Sequence, residues 1–515
     1  MRLVFANEEP HLEPNPGRHL MSGVPALSSA SLDRHSSRML LPSTVVRAPA
    51  EPMPVGTIYR YDRLLLDKAI VDDREARDRL SEVLDPSGLT LECQAASAIV
   101  PVQGSRRVPV TMSGQGGPTT VDAWSVLQTV KAAKGDGRLS AEIADKVGLE
   151  HLLVCSKNGP GIDSSEPPGA ASQLAPLGRI PVDMVNPMPP RRSLDRRIRV
   201  AILDTGVPKS HPGFDVSDRT ARKDTFVVVD HEFQESLAKH ADSLAGPLKT
   251  PWEGPIHEPN LLKEIASHYG HGTFMTGLLR QMAPDVQVYS LRVVHNDGLA
   301  YEHELIAALH HVAEQVEAAR GGDLRAVGVD IVVLAIGYVD EDPEDQPRGW
   351  LKEAIEHLVS LGVPVVAAAG NQSSDRPFYP AAFAAHPRGE DSAPVLSVAA
   401  LNSNQNVSMF SNDGPWISCF ATGAGLVSTF PREGKGSRMP ERQSGSSIDR
   451  HRESHDPDDF SAGYAVWSGT SFAAPVAAAY LANEMADAGV PPAAVANAAQ
   501  AAMWVHGALK RLKSR

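Results

Sequence analysis

The sequence predicts an α/β protein, a parallel sheet flanked by helices and preceded by a smaller α+β unit. Three observations carry this. From Ile198 onward, short apolar runs alternate with helical patterns, and runs such as Ile331-Val332-Val333-Leu334 are apolar without interruption, as in strands covered on both faces. Between Gly56 and Val154, strand and helix patterns alternate on a smaller scale. Residues 156–197 separate the two with turn and polyproline signals such as Asn158-Gly159-Pro160-Gly161 and Pro187-Met188-Pro189-Pro190, so they read as a linker.

The chain has 515 residues, 42% of them apolar and 22% charged, which suits a folded globular protein. A net charge of -13 opposes a nucleic-acid partner, which needs a basic face. The arginines Arg191, Arg192, Arg196 and Arg197 read as part of the solvated linker. No run approaches the roughly 20 apolar residues of a membrane helix, and the N-terminus lacks the apolar core of a secretory signal. Cys93, Cys155 and Cys419 are widely spaced and odd in number, so no disulfide framework or zinc pattern is implied. These features predict a cytoplasmic protein with free thiols and with neither nucleic acid nor membrane as partner.

In chain order, residues 1–54 are rich in Pro, Ser and Arg without sustained period, and read as a disordered leader. In the 55–155 unit, Thr57 to Leu66 suits a strand and Asp72 to Leu84 a helix closed by Asp85-Pro86-Ser87-Gly88. Leu89 to Cys93 and Val108 to Met112 suit strands. Val121, Trp124, Leu127 and Val130 recur every three residues after Thr119-Thr120, as on an amphipathic helix, and Leu149 to Val154 closes as a strand. That order is the split βαβ, ferredoxin-like arrangement. From 198 the strand candidates are Ile198–Leu203, Val286–Val293, Asp330–Ile336, Val363–Ala369 and Val395–Ala400. Helix candidates are His271–Gln281, Glu302–Ala319, Trp350–Leu361 and Ser471–Ala486, and residues 491–515 form a helical tail. Phe214 to Ile265 and Pro431 to Phe460 break the rhythm and read as surface insertions.

Three stretches carry chemistry. Ser471 lies in Gly469-Thr470-Ser471-Phe472-Ala473-Ala474-Pro475, at a helix start where backbone N–H groups favour negative charge. His271 stands between glycines that let a substrate approach, and Asp204 ends a buried strand before Thr205-Gly206. A serine hydroxyl, an imidazole base and a carboxylate to orient it are the parts of nucleophilic hydrolysis. Each motif alone reads as a turn or a helix cap; their joint presence on the right elements favours the chemical reading. His268 and His271 are spaced for a metal, yet no Glu follows His268 as in a zinc hydrolase helix, so no metal is assigned. The acidic run Asp456 to Asp459 lacks alternating oxygen ligands and reads as a solvated face, so neither calcium nor any other cofactor is indicated.

On these motifs, residues 198–490 resemble the subtilisin-like serine proteases, the subtilases, whose chain order is also Asp, His, Ser. The resemblance implies a subtilisin-like parallel-sheet fold and a serine endopeptidase acting through an acyl-enzyme on Ser471. His271 would be the general base, oriented by Asp204, with activity rising as the imidazole loses its proton. Ala367-Ala368-Ala369-Gly370-Asn371, followed by Tyr379-Pro380-Ala381, resembles the family's segment with the oxyanion-hole asparagine, which implies Asn371 in that role. Asp297-Gly298-Leu299-Ala300 and Ala335-Ile336-Gly337 resemble the two substrate-binding edges, implying Gly298, Leu299, Ala300, Ala335, Ile336 and Gly337 as peptide contacts. Tyr338 departs from the family's glycine and Phe472 from its common methionine, so no primary specificity is assigned.

Family members often carry a ferredoxin-like propeptide that assists folding and blocks the cleft. By element order alone, the 55–155 unit is expected to act as such an intramolecular inhibitor, with residues after Leu152 approaching the cleft; an unrelated adaptor domain is the competing reading. A peptide or protein is the expected substrate. The rival to a constitutive protease is a catalytically silent or assembly-regulated peptide-binding module using the same cleft.

Overall fold

The computed structural model describes residues 1–13, 18–49, 51–92, 107–114, 122–155, 179–183, 188–194, 196–221, 223–239, 245–257, 265–342, 349–386, 388–434, 443–444, 452–453, 459–488 and 497–514. The expected leader does not read as disordered there. It supplies β1 (Leu3–Phe5), α1 (Ser29–Arg34) and β2 (Ser37–Met39). β1 is too short for a sequence period, yet it pairs antiparallel along the last strand of the main sheet through Val4 and Phe420. Order here comes from the sheet edge that receives the segment, which composition does not reveal.

β3 (Ile58–Asp67) is followed by α2 (Lys68–Asp72) and α3 (Arg74–Leu84). α3 forms because Asp73 caps it, accepting from the N–H of Glu75 at 2.9 Å, while Ala76, Leu80, Val83 and Leu84 fall on one buried face. β4 (Leu89–Leu91), β5 (Arg107–Gly114), α4 (Ala123–Gly135), α5 (Ala141–Ala144) and β6 (Val147–Cys155) complete the unit. Its strands lie side by side in the order β6, β3, β5, β4, every pair antiparallel, with β2 on β3. The capping threonines Thr119 and Thr120 and the cysteine Cys93 lie outside the described residues.

Of the expected linker, Ile180–Pro181 forms β7 and pairs with Tyr464–Trp467. The arginines after it are not simply solvated. Arg197 is buried and grips Asp224 through Nε and Nη2 at 2.6 and 2.8 Å, and Arg192 donates its N–H to Asp285 at 2.6 Å. Partners distant in sequence turned a basic run into a set of ion pairs.

The main sheet contains β8 (Arg199–Asp204), β9 (Val216–Asp218), β10 (Val227–Val229), β11 (Gln287–Arg292), β13 (Ile331–Leu334), β15 (Val365–Ala368), β16 (Val395–Leu401) and β17 (Cys419–Thr422). The order is β1-β17-β16-β15-β13-β8-β11-β10-β9, all parallel except β1. β9, β10 and α6 (His231–Ala238) come from the supposed insertion 214–265, which therefore widens the sheet. One apolar layer packs α8 (Glu302–Arg320) and α9 (Trp350–Ser360) on one face of the sheet. The other packs α7 (His271–Met282), α10 (Thr470–Asp487) and α11 (Ala498–Lys513) on the opposite face. With both faces covered, the central strands are buried throughout, which is why they read as unbroken apolar runs. Two short strands, β12 (Leu299–Tyr301) and β14 (Ile336–Gly337), leave this sheet and pair with β6 instead. Among the described residues, no helix is long and apolar enough to cross a membrane.

Candidate active site

Parallel sheets place ligands at the carboxyl ends of their strands, and the predicted residues gather there. Asp204 is the last residue of β8, Asn371 follows β15, His271 opens α7 and Ser471 lies in the first turn of α10. Gly270 caps α7 at φ +85°, and a side chain there would meet the Phe430 ring 2.3 Å away, so only glycine lets the chain turn into His271.

His271 Nδ1 lies 2.8 Å from Asp204 Oδ1, both side chains buried. A carboxylate oxygen only accepts, so Nδ1 carries the proton and the Nε2 lone pair is left free. Thr205 N–H also donates to Asp204 Oδ1 at 2.8 Å, and Gly272 N–H donates to Thr205 Oγ1 at 2.9 Å, tying the Asp and His motifs together. Trp467 and Phe472 pack on the imidazole at centroid distances of 5.6 and 5.2 Å. The family-departing Phe472 thus helps to fix the ring. Ser471 is buried, and among the described residues neither its Oγ nor Asp204 Oδ2 has a hydrogen-bond partner. Asn371 Oδ1 accepts from the N–H and the hydroxyl of Thr470, each at 2.9 Å. Because Thr470 occupies the carbonyl end, the amide end is directed away from it, and Nδ2 lies 3.3 Å from where a side chain at Gly469 would begin.

The two predicted peptide edges face each other across one strand, and that strand is the chain's own β6. Leu152, Leu153 and Val154 pair with Tyr301, Ala300 and Leu299, while Val154 and Cys155 pair with Gly337 and Ile336. Cys155 N–H donates to Gly298 O at 2.8 Å. Gly298 sits at φ +83°, where a side chain would strike the His268 ring. Ala335 is buried directly before β14. Tyr338 is buried: its backbone pairs with Tyr379 and its ring stacks on His151 of β6, 4.2 Å between centroids.

Several site residues have no sequence motif of their own. Cys155 Sγ lies with Asp204 and His271 in a group whose ligand atoms are within 4.8 Å of one another. Burial pushes that thiol well above its usual range, which opposes the thiolate a metal requires. His151, Asp340 and Glu341 form a similar group. His35 bridges Tyr301 and Asp297 at 2.8 Å on each side, and His303 binds Glu150 of β6. The acidic run before Asp459 lies outside the described residues.

Glu253, from the supposed insertion, sits beneath both motifs and accepts from Thr273 at 3.0 Å. Burial raises its carboxyl to about 8 despite bonds from Thr205 and Thr273. Native protein therefore holds this proton more tightly than unfolded chain, so the group's contribution to stability falls as pH rises from about 4.5 to about 8. Glu253→Gln is expected to remove this loss. Calorimetry at pH 5 and pH 8 should find the variant gaining at least about 3 °C in Tm over wild type between the two; an unchanged difference would refute the assignment.

Comparison with known proteins matches the arrangement. The description of the subtilase family fits residues 195–503, more than half of the chain. A thermophilic serine proteinase of Bacillus sp. (strain AK1) is 24% identical over 230 residues, 45% of this chain and 45% of the relative. The major intracellular serine protease of Bacillus subtilis (strain 168) is 25% identical over 253 residues, 46% of this chain and 61% of the relative. Thermitase of Thermoactinomyces vulgaris is 24% identical over 233 residues, 45% of this chain and 65% of the relative. The alignments thus span between about half and two thirds of these relatives. With the family description covering more than half of the chain and the motif residues gathered at the carboxyl ends of the parallel strands, the chain belongs to the subtilase family.

Proposed function

We propose that the chain is a serine endopeptidase that hydrolyses peptide bonds in protein or peptide substrates. One observation carries the reading: an extended segment is held between β12 and β14 and ends at Cys155, beside the Asp204–His271 pair. A peptide added as a strand to two edges is bound mainly through its backbone, which suits cleavage of many sequences. In this mechanism Ser471 Oγ attacks the carbonyl and His271 Nε2 takes its proton. Asp204 keeps the imidazole in the right tautomer and stabilises its cation. Asn371 Nδ2 and the Ser471 N–H meet the oxyanion. His271 then protonates the departing amine, and water hydrolyses the acyl-enzyme by the same steps.

The N-terminal unit acts as the intramolecular inhibitor. Its strand order, with the fourth strand beside the first and the third between first and second, is that of ferredoxin-like folds, and its last strand fills the cleft. This favours a latent protease over a constitutive one. A cytoplasmic location fits the Bacillus subtilis relative named as the major intracellular serine protease.

A fluorophosphonate probe is expected to label the wild-type chain slowly and Ser471→Ala not at all. Absence of label in folded wild type, and also in a variant with β6 displaced, would refute the reading. Asn371→Ala is expected to lower turnover by about 100- to 1,000-fold with little change in KM, a magnitude established on subtilisin itself; a loss under tenfold would remove Asn371 from the oxyanion site.

A further inference from the structure

Upstream of the segment held between the two edges, β6 presents one side chain to a set of opposing charges. His151 Nδ1 lies 2.8 Å from Glu302 Oε2, and Nε2 lies 2.8 Å from Glu341 Oε2. The backbone N–H of His151 also donates to Glu302 Oε2, at 3.1 Å. Carboxylate oxygens accept and do not donate, so both ring nitrogens carry hydrogen and His151 is an imidazolium. Its ring lies nearly parallel to Tyr338, 22° between planes, placing the cation over an aromatic face. Asp340 completes the group with ligand atoms within 4.8 Å. Glu302 and Asp340 are buried and Glu341 is half-buried.

The carboxylates and the aromatic floor all belong to the subtilase part of the chain: Glu302 at the start of α8, the others just after β14. The cation belongs to the N-terminal unit. Buried carboxylates without a counter-charge are costly, so this pocket is built for a positive side chain. The charge balance agrees: burial opposes the His151 cation, yet Glu302 and Glu341 hold it well above the usual histidine range. Burial likewise opposes the Glu341 anion, yet His151 brings it down to about 2. Lys131 on α4 also acts on Glu341, and it is engaged by Glu51 at 2.7 Å. A cavity of about 140 Å³ bordered by Lys131, His151, Glu302 and Glu341 leaves room for a longer side chain than histidine.

We propose that Glu302, Glu341, Asp340 and Tyr338 form a specificity subsite for a cationic substrate residue, four positions N-terminal to the residue beside His271, and that His151 is its occupant in the latent chain. This deepens the peptidase reading above and rests on it. A substrate following the path of β6 would place lysine or arginine where His151 lies, and the enzyme would favour chains with a basic residue there.

Two measurements on the full-length chain test this. The first is the rate of fluorophosphonate labelling at Ser471. His151→Arg should label within about twofold of wild type, and His151→Gln at least about tenfold faster, because the inhibitory strand has lost its charge. In a Glu302→Gln/Glu341→Gln background, the Arg and Gln variants should label alike. Equal rates for His151→Arg and His151→Gln in the parent would overturn the proposal. The second uses the full-length chain with β6 displaced by Leu153→Asp, or by the milder Leu153→Ala, and peptides differing only in Arg, Lys or Gln at the fourth position before the residue beside His271. The expected kcat/KM is at least about tenfold higher for Arg and Lys than for Gln, and the preference disappears with Glu302→Gln/Glu341→Gln. Hydrolysis of all three within twofold overturns the subsite while the peptidase reading stands. No labelling and no hydrolysis in any folded variant overturns the peptidase reading and the subsite with it.

Discussion

Alanine at Ser471 or at His271 is expected to cost about a millionfold in turnover, and alanine at both to cost no more than either alone. The magnitude and its non-additivity were established on subtilisin, and the mechanism proposed above gives Ser471, His271 and Asp204 the same roles. The reason lies in the geometry. Without the base, a buried hydroxyl keeps its proton; without the hydroxyl, the imidazole has nothing to activate. Residual rate, about 1,000- to 10,000-fold over water, should come from the oxyanion donors and from peptide binding. Turnover of a chromogenic peptide by chains with β6 displaced measures this. Losses that multiply in the double variant, or a Ser471→Ala loss under a thousandfold, would mean that the two residues do not act as a unit.

The motif residues were legible because the chemistry fixes both residue type and local backbone. A glycine is needed before His271 to turn at positive φ, and an aspartate must end a buried strand. The central strands were legible for a related reason: burial on both faces leaves no polar alternation, and their predicted limits differ from the observed ones by at most two residues. What escaped the sequence depends on contacts distant along the chain. β1 is ordered by Phe420 and its neighbours, some 415 residues away. Arg197 is buried because Asp224 and the Asp285 carbonyl receive it. Glu253 lay in a stretch read as a surface insertion, yet it sits under Thr205 and Thr273. The substituted Tyr338 could be seen, but not that it would stack on His151 from another unit. Pairings between units leave no local period, so the site's polar surround appears only in three dimensions.

Displacing β6 should raise activity, and Leu153 is the residue through which to do it. Leu153 and Cys155 belong to the apolar cluster that includes Ala300, Leu305 and Ile336, while Leu152 and Val154 pack with Leu299 and Tyr301. The strand is thus held on both faces as well as along both edges. Leu153→Ala removes about 2–5 kcal/mol of buried packing. Leu153→Asp loses a comparable term and also places a charge in an apolar site, at a further cost of several kcal/mol. If the strand blocks Ser471, the open fraction of molecules grows by the same factor that its docking weakens. Labelling of Ser471 should therefore accelerate by at least about thirtyfold for Leu153→Ala and by about 1,000-fold or more for Leu153→Asp, each 1.4 kcal/mol being tenfold. Circular dichroism establishes that each variant is folded, and Ser471→Ala in each background supplies the blank. If folded Leu153→Asp were labelled at the wild-type rate, β6 would be a bystander in the cleft and the inhibitory role of the N-terminal unit would fall. A graded rise from wild type through alanine to aspartate would make the docking energy of one strand the quantity that keeps Ser471 from the probe.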